Sequence, residues 1–140
     1  MKKLQDIASA IILAHILISG FDHLAHQRID LTFALTENVV ILSVITVSPL
    51  IAGALLYSRY KHAGAILLLS TMAVAFFFNL YHRFLTHHPS THSPDFAHYW
   101  ETIFLLSSAL ILITEVTGCW VGSKIIQLLG TSNEPPASNT

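Results

Sequence analysis

Residues 99–120 read YWETIFLLSSALILITEVTGCW, two tryptophans twenty positions apart around a nearly unbroken apolar run. Twenty residues of α-helix rise about 30 Å, one hydrocarbon thickness, and Trp is enriched where a helix passes into the headgroup layer. The stretch therefore reads as a membrane span bracketed by Trp100 and Trp120. The rest of the chain agrees with it. Of 140 residues, 53% are hydrophobic and 11% charged, against about 25% charged residues in a soluble domain. Seven basic and eight acidic side chains cannot coat a globule with a mean hydropathy of +0.60, so the solvent for most of the chain is lipid.

Working outward from that span, three more segments have the length and apolarity for a crossing. The four fall at about 4–25, 38–57, 63–84 and 98–119. Their short connections predict one all-α domain over residues 1–130, an integral membrane four-helix antiparallel bundle in up-down-up-down order. Pro89 and Pro94 argue against helix in the polar stretch 86–97. Residues 131–140 carry no apolar pattern and are expected to be a disordered polar tail. Pro49 removes one backbone bond from the second span and is expected to kink it. An alternative for the first segment is a cleavable signal, since Lys2 and Lys3 precede the apolar run and Ser19-Gly20 supplies small residues; the long apolar body and the lack of an Ala-x-Ala site weigh against it.

Basic residues in short loops favour the cytoplasmic side. Placing the N-terminus inside puts Lys2, Lys3, Arg59, Lys61 and Lys124 in the cytoplasm and only Arg28 and Arg83 outside. The expected setting is thus a plasma or inner membrane crossed several times, with both termini cytoplasmic. A net charge of -1 with no basic face leaves nucleic-acid binding without support. The single cysteine, Cys119, excludes an internal disulfide and any Cys-x-x-Cys site. No P-loop, Gly-x-Gly-x-x-Gly or Gly-x-Ser-x-Gly is present.

With this topology the nine histidines cease to be scattered. His23, His26, His82, His87, His88, His92 and His98 all fall at the outer face, near Asp22, Glu37 and Glu101. Asp22 and His26 are i, i+4 on one helix, and His98 and Glu101 are i, i+3 on another, so each pair shares a face. Paired His and carboxylate on facing helices is how bundles build metal centres. The order His-x-x-Glu is the reverse of the di-iron carboxylate pattern, and no motif names a family. The resulting expectation is a transition-metal site (Cu, Zn or Fe) liganded by His23, His26, His82, His98 and Glu101, with Asp22 and Glu37 in support. Such a site serves either a membrane metalloenzyme or a metal-binding or sensing protein, and no catalytic residue is singled out.

Two ionisable residues lie deeper. His15 falls mid-span and Glu115 well inside the fourth span, where an ionised group costs about 2.5–3.5 kcal/mol on translocon scales. Their phase puts each near the face of its helix that carries the outer groups. This supports an alternative, a small proton or ion transporter or its accessory subunit, in which His15 and Glu115 form a relay. A third reading is a bis-histidine haem protein, for example through His26 with His82 or His98.

Overall fold

The computed structural model describes residues 1–28, 39, 41–81 and 96–131; the side chains of 26–28, 96–98 and 101 are not among those described. Within these residues the chain is all-helical, with no strand. Helix α1 spans Lys2–Arg28. A π-helical segment, Ile41–Val47, leads into α2, Ser48–Leu56. Helix α3 spans Lys61–Leu80, and α4 spans Phe96–Thr131.

Three intervals are long and apolar enough to cross a membrane: Lys2–Ala25, Lys61–Leu80 and Thr102–Thr131. Of the fourth expected span, 38–57, the described residues give Ile41–Leu56, an apolar helix below that length; residues 38 and 40 lie outside those described. The wide π turns end at Val47, two residues before Pro49, which occupies the first turn of α2. Proline has no N–H to give the carbonyl four residues back, and the helix absorbs this by widening ahead of it. Ser48 and Thr46 hydroxyls donate to the carbonyls of Ser43 (2.8 Å) and Ile41 (3.4 Å), five residues back.

The last helix runs twelve residues past the expected end at Cys119. Nothing in residues 120–131 breaks a helix, and Gly118, Val121, Gly122 and Ile125 are buried at helical spacing. Burial of that stripe holds Ser123 and Lys124 in helix despite their polarity. Phe96, Ala97 and Thr131, expected in loop or tail, are likewise helical. The tail from 132 and the stretch 82–95 lie outside the described residues.

Helix α4 packs against both α1 and α3, and α2 packs against α3 and α1. The tight turn between α2 and α3 is held by Ser58, whose hydroxyl donates to the Leu55 carbonyl (2.8 Å) and accepts from the Tyr60 N–H (3.0 Å). At the same end Tyr57 donates to Asp6 (2.9 Å) and accepts from Ser9 (3.2 Å), tying α2 to α1. The core nearest this end is apolar: Ala8, Ile12, Ala52, Leu56, Ala65, Leu68, Met72, Val121 and Ile125. Small residues fill much of the interior, and large apolar ones point outward, Phe21, Phe77, Leu105 and Leu106 among them. Lipid tails are as apolar as leucine, so helices in a bilayer associate through close packing of small residues, and this distribution has that form.

Candidate functional site

The polar interior begins where the apolar core stops. His15 and Glu115 are both fully buried, at 0% exposure. His15 Nδ1 lies 3.0 Å from Thr114 Oγ1, and Asn79 Nδ2 donates to Glu115 Oε1 at 2.5 Å. Thr114 and Glu115 are consecutive on α4, so their side chains leave it about 100° apart. One turns to α1 and the other to α3, which sets the two ionisable groups at one depth. Each bonds its own polar partner in place of a direct His15–Glu115 pair.

Seven residues up α1, Asp22 accepts a 2.6 Å hydrogen bond from the Ser107 hydroxyl, seven residues down α4 from Thr114. Contact therefore climbs one helix as it descends the other. Ser107 and Ser108 are buried, and both hydroxyls also reach the Phe104 carbonyl. Between His15 and Asp22 on α1 lies Ser19, its Oγ buried and without a hydrogen-bond partner. His15, Ser19 and Asp22 are spaced i, i+4, i+7, one face of a helix. The three form a polar file along the α1–α4 contact, about 10 Å long at 1.5 Å per residue. At its lower end stands the apolar core.

Of the expected metal ligands, His23 is exposed on α1, while its neighbour Asp22 is buried against Ser107. The others cannot be compared with expectation: His82 and Glu37 lie outside the described residues, as do the side chains of His26, His98 and Glu101. Among the described residues no group of three or more His, Cys, Asp or Glu is arranged to hold a metal ion. Loop residues His87, His88 and His92 also lie outside.

Asn79, on α3, is the partner of Glu115 in the interior. Side chains on a helix lean toward its N-terminus. Glu115 leans toward the start of α4 and Asn79 toward the start of α3, so in oppositely running helices the two reach for each other. Ser19, Thr114 and Ser107 carried no distinguishing sequence signal, because hydroxyls in apolar helices commonly bond their own backbone. Only their phase relative to His15 and Asp22 pointed inward. No family model, curated protein or solved structure matches the chain.

Proposed function

We propose that the chain is an integral membrane four-helix antiparallel bundle, in up-down-up-down order, that carries protons across the bilayer through a relay of His15 and Glu115. The observation that carries this reading is the burial of two ionisable groups at one depth, each hydrogen-bonded, among helices long enough to span. Ionisable residues inside a membrane are expensive and mark ion paths or proton relays. Asp22 and Ser19 extend the polar file toward the end of α1 that carries His23. The apolar layer of Ile12, Leu56, Leu68 and Met72 closes the file on the other side, so passage requires that layer to part. Lys2, Lys3, Arg59, Lys61 and Lys124 lie on that closed side, which supports its being cytoplasmic, with both termini there.

The test is proton flux in proteoliposomes loaded with a pH-sensitive dye. Glu115→Gln and His15→Asn are each expected to cut the rate at least tenfold, while His62→Ala, at the far end, leaves it intact. A rate that survives Glu115→Gln removes that carboxyl from the mechanism.

A further inference from the structure

Where α1 starts and α4 ends, the two helices leave a groove of about 360 Å³ lined by Leu4, Trp120, Lys124, Gln127, Leu128 and Thr131. That volume falls in the range, about 300–1,000 Å³, of sites that hold small-molecule ligands. The five α4 residues are spaced i, i+4, i+7, i+8 and i+11, so a single face of the helix supplies them, and all five are exposed. At 1.5 Å per residue that face is about 17 Å long. Val121 and Ile125, on the neighbouring face, are buried in the core, so the groove is the stripe of α4 that the bundle leaves uncovered.

The polar groups of the groove suit an anion. Lysine has only protons to offer, so the 3.3 Å contact from Lys124 Nζ to Gln127 Oε1 occupies the acceptor of the amide and leaves its NH2 as a donor, beside two further ammonium protons. Thr131 gives its hydroxyl proton to the Leu128 carbonyl at 3.2 Å and is left an acceptor. The donors are therefore concentrated at Lys124 and Gln127, with Trp120 one turn before them. Among the described residues no carboxylate lines the groove. Asp6, about 200° around α1 from Leu4, is taken up by the Tyr57 hydroxyl of α2. Lys2 and Lys3, exposed in the first turn of α1, add positive charge next to Leu4.

We propose that this groove holds one anionic phospholipid, its phosphate accepting hydrogen bonds from the Lys124 ammonium and the Gln127 amide, and an acyl chain lying along Leu4 and Trp120. A phosphodiester brings acceptor oxygens and a negative charge, which match a donor set with no carboxylate beside it. Trp is enriched at the depth where headgroup meets chain. A free phosphate would answer the donors and leave the apolar wall unused. In the proposed orientation Lys124 faces the cytoplasmic leaflet, where anionic lipids attract basic residues. The inference rests on that membrane placement and is independent of the proton relay.

Native mass spectrometry of the full chain, released from micelles holding equal amounts of phosphatidylglycerol and phosphatidylcholine of one chain length, tests this. One phosphatidylglycerol is expected to stay bound, with a preference over phosphatidylcholine of about fivefold or more, the scale of one lysine near an anionic headgroup. Lys124→Gln, an exposed change that leaves the core untouched, should abolish the preference. Lys61→Gln removes the same charge at the same end but outside the groove, and should keep it. Trp120→Ala should weaken retention of both lipids. Equal retention of the two lipids, an equal loss in Lys61→Gln, displacement by excess inorganic phosphate, or a dimer that retains no lipid overturns the inference. Chain that washes off liposomes at alkaline pH would end the membrane placement and this inference together. Chain that resists the wash and shows no preference ends this inference alone, and absent proton flux with the preference intact ends only the relay.

Discussion

Asn79 and Glu115 are buried among the helices, and the bond between them joins α3 to α4 across the interior. Interhelical hydrogen bonds in membranes are worth less than this isolation suggests, because the separated helices also find partners; measured couplings average about 0.6 kcal/mol and reach about 1.7. A double-mutant cycle with Asn79→Ala and Glu115→Ala, read by denaturation in mixed micelles, should give a coupling within that range. Strict additivity of the two losses would mean the contact contributes nothing to holding the helices. At this scale the sequence showed that His15 and Glu115 are out of place in an apolar span, but not what each would touch. Thr114 and Asn79 are ordinary residues in a membrane helix, and their role depends on which neighbour stands opposite.

Glycines separate the helix contacts by how much each can yield. At Gly64 an added Cβ would lie 2.8 Å from the Leu56 backbone nitrogen and 2.9 Å from Leu55 Cβ, where α3 folds back on α2. Backbone cannot step aside, so Gly64→Ala is expected to cost about 1–3 kcal/mol. At Gly118 the obstacle is the side chain of Met72, with Cγ at 2.8 Å and Sδ at 3.1 Å. Methionine is flexible enough to move, and the loss there should be smaller. At Gly20 nothing lies within 4 Å, and alanine should be neutral or gain up to about 1 kcal/mol from helix propensity. Thermal melts of the three variants in detergent should follow that order; a Gly20→Ala protein weaker than Gly64→Ala would contradict the packing. Element boundaries were legible where periodicity was unbroken, as in α1 and at the start of α3. The expected span stopped at Cys119, one hydrocarbon thickness from its start, while the buried stripe of Val121 and Ile125 carries the helix on to Thr131.

For the whole molecule, the prediction concerns orientation. The turn at 57–60 and the start of α1 meet at one end through the Asp6–Tyr57 bond, and Leu4 lies beside Lys124 and Gln127 in a shared groove. Five of the seven basic residues belong to that end. Fluorescent reporters that mature only in the cytoplasm, fused after Ser58 and after the C-terminus, should both light up. Signal from one fusion alone would break the pairing of ends, and signal from neither would invert the membrane placement. Composition and apolar periodicity were enough to determine that this is an all-helical chain with segments suited to a bilayer, since those properties add residue by residue. They also marked His15 and Glu115 as costly. Which groups those two would bond, and that Asn79 belongs to the interior, were decided by tertiary structure alone. Such contacts depend on the rotation and axial offset of one helix against another, which no single helix carries in its own sequence.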